Sequence, residues 1–255
     1  MMRKVAGMKK KIKFTKFTWI NLAVILVVLL LVAAVVVLAI KASGKDTRND
    51  FQKYYDNKVI SYGVQNVNLS KGQIVFVGDS ITDLYLLDDH YADLPLACYN
   101  RGIGGDTTSG VLKRLQVSIF DLEPSAVVLM IGTNDINGNL PEKEILDRYR
   151  QIVEAITTTL PDAKLYCVSV IPQNKQVEEY STLQVDHTTP VILRINAQIR
   201  QIAESCGAGF VDLFPLLADE NNYLLPQYSD DGIHLNPTGL AVWTEQMRPL
   251  LMGNP

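Results

Sequence analysis

Apolar residues are distributed along the chain in two rhythms, set off by polar stretches. From Leu22 to Ile40, roughly 19 successive residues carry no charge, close to the ~20 that a helix needs to cross a bilayer core. From Gln73 onward, short continuous apolar runs alternate with longer stretches in which apolar positions recur every three or four residues. Ile74–Val77 predicts a strand buried on both faces, Ala126–Ile131 is another continuous apolar run, and Ala97–Tyr99, Leu165–Ile171 and Gly209–Leu213 predict the remaining strands. The longer stretches predict helices. Ile145, Tyr149, Ile152, Ile156 and Leu160 follow Pro141, which is placed at a first-turn position with Glu142 and Glu144 beside it. Ile192, Ile195, Ile199 and Ile202 follow a Thr189 cap with Pro190 at N1, and Gly207 fits the position just past the helix end. A last helix opens with Asn236-Pro237 and carries Leu240, Trp243, Met247 and Leu250.

Strands that alternate with helices imply parallel pairing through crossover helices. The predicted fold class is α/β: a three-layer sandwich around a five-stranded parallel sheet, preceded by one transmembrane helix. The division that follows is a basic tail over 1–19, a membrane signal anchor over 20–40, a stem over 41–72 and an α/β domain over 73–253. In the stem, Phe51, Tyr54 and Tyr55 suggest a short amphipathic helix.

Charge sharpens this division. Eight of the 24 Lys and Arg residues lie at or before Lys41, and the first acidic residue is Asp46. The basic flank predicts a cytoplasmic N-terminus, with the remainder on the outer side of the membrane. A cleaved signal peptide is the competing reading, disfavoured by the length of the apolar run and the poor cleavage site at Ile40-Lys41-Ala42. Past Lys41, 16 basic residues stand against 27 acidic ones, which argues against nucleic acid as a partner. Cys98, Cys167 and Cys206 are too scattered for a disulfide framework or a zinc spacing, so no metal site is predicted, though one pair with one free thiol stays open.

The candidate chemistry sits where strands end, because ligands of open α/β sheets bind outside the carboxyl ends of the strands. The first predicted strand stops at Gly78-Asp79-Ser80. The second runs into Asn100-Arg-Gly-Ile-Gly-Gly-Asp-Thr107, and the third into Gly132-Thr-Asn-Asp135. Before the last helix comes Asp230-Asp-Gly-Ile-His234. Asp231 can reach the His234 Nδ1–H and fix the tautomer, which leaves Nε2 free to face Ser80. Taken singly, each piece has a plainer reading: a turn with a capping serine, Asp106 as a helix N-cap, Asn134 as a turn former, an exposed histidine. Phosphate binding is a further reading of the glycine-rich loop. However, the three-glycine dinucleotide spacing and a Gly-Lys-Ser/Thr sequence are both absent.

Taken together, Gly78-Asp79-Ser80-Ile81, Asn100 through Gly105-Asp106-Thr107, Gly132-Thr133-Asn134-Asp135 and Asp231-Gly232-Ile233-His234 resemble the ordered blocks of the SGNH (GDSL-type) hydrolases. The likeness is nearest to the small, platelet-activating-factor-acetylhydrolase-like esterases and spans about Gln73 to Met252. It implies a flavodoxin-like fold and a Ser-His-Asp acyl-enzyme mechanism on carboxylic esters without a cofactor. Ser80 would be the nucleophile, His234 the general base and Asp231 its orienting partner. Ser80, Gly105 and Asn134 would form the oxyanion hole, with Asp79 and Asn100 as supports. The expected partners are an ester substrate, small or polysaccharide, and the lipid bilayer. From topology the ester is an O-acetyl group of cell-envelope carbohydrate. A lipid acyl hydrolase (lysophospholipase or thioesterase) and a non-catalytic surface binding module are the alternatives.

Overall fold

The computed structural model describes residues 16–42, 48–174 and 188–253. They form two units, divided between Asn49 and Asp50. Among the described residues, the first contains one helix, α1 (Lys16–Ala42). Its side chains are described at Asn21 and from Val24 to Val37, where they are exposed. Among the described residues no helix is long and apolar enough to cross a membrane, so the crossing expected of 20–40 is not a finding of the structure.

The second unit is the α/β domain. Its elements in order are α2 (Asp50–Asn66), β1 (Ile74–Gly78), α3 (Ser80–Asp83), α4 (Leu87–Tyr91), β2 (Cys98–Gly102), α5 (Thr108–Lys113), α6 (Leu115–Ser118), β3 (Ala126–Met130), α7 (Thr133–Asn137), α8 (Glu142–Thr159), β4 (Lys164–Val168), α9 (Thr188–Ser205), β5 (Gly209–Val211), α10 (Phe214–Leu217) and α11 (Pro237–Met252). The five strands pair in parallel in the order β2-β1-β3-β4-β5. This is the flavodoxin-like order, whose direction of winding reverses between β1 and β3.

Alternation along each strand feeds two cores. Val75, Val77, Val127 and Leu129 face the apolar stripes of α8 and α9, including Tyr149, Ile152, Ile195 and Ile199. Ile74, Phe76, Val128 and Met130 face α11, where Trp243, Met247 and Leu251 are fully covered. A strand buried on both sides therefore reads as an unbroken apolar run, and both layers of helices follow from it.

Several boundaries differ from the pattern reading. β4 ends at Val168, although the predicted strand runs on through Ser169 to Ile171. The Asn196 side chain takes over the next ladder position: it accepts from Val170 N–H at 2.8 Å and donates to Val170 O at 2.8 Å. Pro141 caps α8 from outside with φ −56° and ψ 130°, rather than occupying its first turn. Helix α9 already includes Thr188 and Thr189. Asn236 is the expected cap of α11, accepting from the N–H groups of Thr238 and Gly239. The segment read as a stem belongs, from Asp50 on, to the folded unit. There Tyr62 hydrogen-bonds Gly102 O, Tyr55 donates to Gly110 O at 2.8 Å and Asn66 donates to Val117 O at 2.7 Å. Arg101 closes the C-terminal end of α2, its guanidinium bonded to the side chains of Gln65 and Asn66 and stacked on Tyr62. All three cysteines are free thiols.

Candidate active site

At the end of β1 the chain turns without room for a side chain. A Cβ on Gly78 would stand 2.2 Å from Met130 O and 2.3 Å from Thr82 Oγ1, so only glycine lets β1 and α3 meet this closely. Asp79 caps α3, accepting from Ile81 N–H at 3.0 Å. Ser80 is therefore the first residue of the helix, and its own N–H has no intrahelical acceptor and points out of the helix start.

His234 reaches this serine from the far end of the domain. Its Nε2 lies 2.9 Å from Ser80 Oγ, and its Nδ1 lies 2.5 Å from Asp231 Oδ2. The other carboxylate oxygen, Asp231 Oδ1, accepts from the N–H groups of Ile233 (2.9 Å) and His234 (2.8 Å), and Gly232 supplies the positive φ of 83° that this tight loop requires. Partial burial opposes the Asp231 charge, but the bonds from the His234 ring and the two N–H groups outweigh it and hold this carboxyl below its ordinary range. The loop is fastened from beneath, where Asn174 N–H donates to Gly232 O at 2.8 Å. Ser80, His234 and Asp231 thus form one continuous hydrogen-bonded chain, open to solvent on one side.

The remaining predicted residues lie at or just past the adjoining ends of β1, β2 and β3. Asn134 opens α7 at the end of β3, and its amide donates to Asp106 O at 2.9 Å, which ties it to the loop carrying Gly105. Gly105 is exposed and sits at φ 75°, in the left-handed region. Asn100 makes no bond to the triad. It supports the back of the nucleophile helix by donating to Thr82 O (2.6 Å) and Tyr85 O (2.9 Å), while its Oδ1 accepts from Gly102 N–H. Asp79 is completely buried, and one of its oxygens has no hydrogen-bond partner among the described residues. Burial is the main reason its carboxyl is pushed up to about 7.

Asp106 is not the N-cap of α5. Thr107 fills that role, and Asp106 turns inward to Arg114 Nε at 2.8 Å. Arg114 also donates to Gly78 O (2.9 Å), Arg101 O (2.7 Å) and Ser118 Oγ (2.9 Å), so one buried guanidinium holds the ends of β1 and β2 against the Gly105 loop. Asp135 accepts from both N–H and hydroxyl of Thr108 and ties α7 to α5. Sequence reasoning missed Arg114 and gave Asp135 no role of its own. A lone arginine eight positions past an aspartate, in the turn between two short helices, carries no periodic signal, although Asp135 does stand inside the Gly-Thr-Asn-Asp block.

The chain is similar to known proteins in both sequence and fold. Human platelet-activating factor acetylhydrolase IB subunit alpha1 is 26% identical over 188 residues, covering 71% of this chain and 75% of that protein. The human alpha2 subunit is 34% identical over 106 residues, covering 40% of this chain and 45% of the relative, so the chain matches about half the length of the alpha2 proteins. A solved structure described as a putative platelet activating factor from Streptococcus pneumonia superposes with a TM-score of 0.73 at 25% identity, covering 79% of this chain and 94% of that one. An acetyl xylan esterase at 18% identity, with a TM-score of 0.59 and coverage of 70% and 98%, shares the fold. The model of the GDSL-like lipase/acylhydrolase family matches residues 76–242, which is most of the chain and spans all four of the loops just described, and this protein belongs to that family.

Proposed function

We propose that the protein is a serine esterase that hydrolyses carboxylic esters through an acyl-enzyme on Ser80. The observation that carries this reading is the unbroken Ser80–His234–Asp231 relay, assembled from residues 154 positions apart. His234 Nε2 takes the Ser80 proton as Oγ attacks the ester carbonyl, and Asp231 stabilises the imidazolium that results. The carbonyl oxygen, now negative, is held by the Ser80 and Gly105 N–H groups and the Asn134 amide. When the tetrahedral intermediate collapses, the proton returns from His234 to the leaving alcohol. Water then repeats the sequence on the acyl-enzyme, releasing the acid and restoring Ser80.

The acyl group favoured is acetyl. The names of the acetylhydrolase relatives and of the acetyl xylan esterase that shares the fold support it. The favoured location is the outer face of a membrane, held by residues 20–40. The support is an apolar run whose described side chains, from Val24 to Val37, lie uncovered, with a basic flank before it. An O-acetylated envelope carbohydrate fits both. A longer lipid acyl chain is the second reading, favoured by Leu84 and Leu86, which stand 58% and 66% exposed just past the nucleophile helix.

A fluorophosphonate probe should label Ser80, and Ser80→Ala protein should neither label nor turn over p-nitrophenyl acetate. Equal labelling of the variant would overturn the assignment. A series of C2 to C12 esters separates the two acyl readings: a sharp maximum at C2 supports acetyl, and a rise towards long chains supports lipid.

A further inference from the structure

Helix α2 lies outside the residues matched by the family model, yet it reaches the loop that carries Gly105. The contact runs through Asp83, the last residue of the same turn of helix that begins at Ser80. Asp83 Oδ2 accepts from Gly104 N–H at 3.1 Å and from the Tyr54 hydroxyl at 2.5 Å, while Oδ1 pairs with Lys58 Nζ at 2.6 Å. The Tyr54 oxygen is itself 3.2 Å from Gly104 N and shares that proton. Phe51 closes the other side: a Cβ on Gly105 would stand 2.7 Å from its Cε2.

These contacts matter because Gly104 and Gly105 are consecutive glycines, the pair of residues with the most backbone freedom to lose. The Gly105 N–H is useful only if it is aimed before the reaction starts, since a donor that must reorient contributes much less. After Gly105, the chain is fixed by Asp106 N–H to Ile103 O (3.1 Å) and by Asn134 to Asp106 O. Before it, the Gly104 peptide is held by the Asp83 carboxylate and the Tyr54 hydroxyl alone among the described bonds of that N–H. Burial first, and the adjacent Asp83 next, keep the Tyr54 phenol above its ordinary range, so it remains a donor at neutral pH. Lys58 balances the charge that Asp83 brings to a half-covered site.

We infer that Asp83, held by Tyr54 and Lys58 of α2, is a positioning residue that aims the Gly105 N–H at the oxyanion, so that a helix outside the matched segment sets the efficiency of the site. The inference rests on the esterase reading, and the test keeps the two apart. In the full chain, Asp83→Ala should lower kcat for p-nitrophenyl acetate by about 10-fold or more with KM within about twofold, because the interaction lost is one made to the transition state. Asp83→Asn should recover part of the rate, since its amide oxygen still accepts from Gly104 N–H. Tyr54→Phe, which leaves Asp83 in place, should fall between Asn and wild type and serves as the reading if Asp83→Ala does not fold. Combined with Asn134→Ala, Asp83→Ala should cost clearly less than the product of the two single losses, because both act on one oxyanion. A wild-type kcat in Asp83→Ala, or in Tyr54→Phe where only that variant folds, overturns the inference, as does a strictly multiplicative double variant. If the wild-type chain turns over no ester and Ser80 takes no probe, the esterase reading itself fails.

Discussion

At the scale of the residue, two side chains beside Ser80 separate chemistry from support. Asn134 spends one amide hydrogen on Asp106 O, and its second is the one assigned to the oxyanion in the proposed reaction. Its replacement by alanine should therefore lower kcat by about 10²–10³, the usual cost of one oxyanion donor, with little change in stability. A loss below threefold in steady-state kinetics would reduce Asn134 to a turn former. Asp79 is the opposite case. Its carboxyl, pushed up to about 7 by burial, keeps its proton in the folded protein between roughly pH 4 and 7, where the unfolded chain has already released it. The folded state binds the extra proton, so stability falls as pH rises through that window and is level above it. Asp106 and Asp135, also raised by burial, tilt the balance the same way. Asp79→Asn cannot titrate, so its urea midpoint should fall less between pH 5 and pH 8 than that of the wild type. An identical fall in both would place the proton elsewhere.

At the scale of the element, the site depends on short turns pulled together by one ion pair. Arg114 and Asp106 are almost wholly covered, at 1% and 2% side-chain exposure, and the guanidinium reaches carbonyls at the ends of both β1 and β2. Arg114→Met should cost about 3–5 kcal/mol in urea unfolding, because it leaves the Asp106 carboxyl buried without its partner. Asp106→Asn in the same protein should recover part of that loss. A cost below about 1 kcal/mol would mean that water solvates the cavity and that the pair holds nothing. None of this was visible from periodicity. The strands were legible because burial on both faces forces unbroken apolar runs, and α8, α9 and α11 because one-sided burial forces a 3.6-residue stripe. Helix α2 shows no such stripe. Phe51, Tyr54 and Tyr55 suggest a short helix, which is present, but it is held by tyrosine hydroxyls, an asparagine and an arginine, so its sequence resembles a stem rather than part of the domain.

At the scale of the whole molecule, the topology explains why four separated motifs form one site. The strand order reverses between β1 and β3, and the loops that follow those two strands carry Ser80 and Asn134. The proposed membrane anchor belongs to this scale too. The full chain, expressed in cells, should sediment with membranes, resist extraction by high salt and carbonate, and dissolve only in detergent. Release by salt alone would leave the basic tail as a surface contact and remove the spanning helix.

The sequence by itself determined the layering, the turns at the strand ends and the candidate groups for the chemistry, because hydrophobic periodicity and short local motifs are written in neighbouring residues. Tertiary structure alone decided which supporting groups meet across long separations: Arg114 with Gly78, and Asp83 with Gly104 and Tyr54. Those pairings depend on angle and distance rather than on hydropathy, and a hydrogen bond between residues dozens of positions apart leaves no periodic trace in the chain.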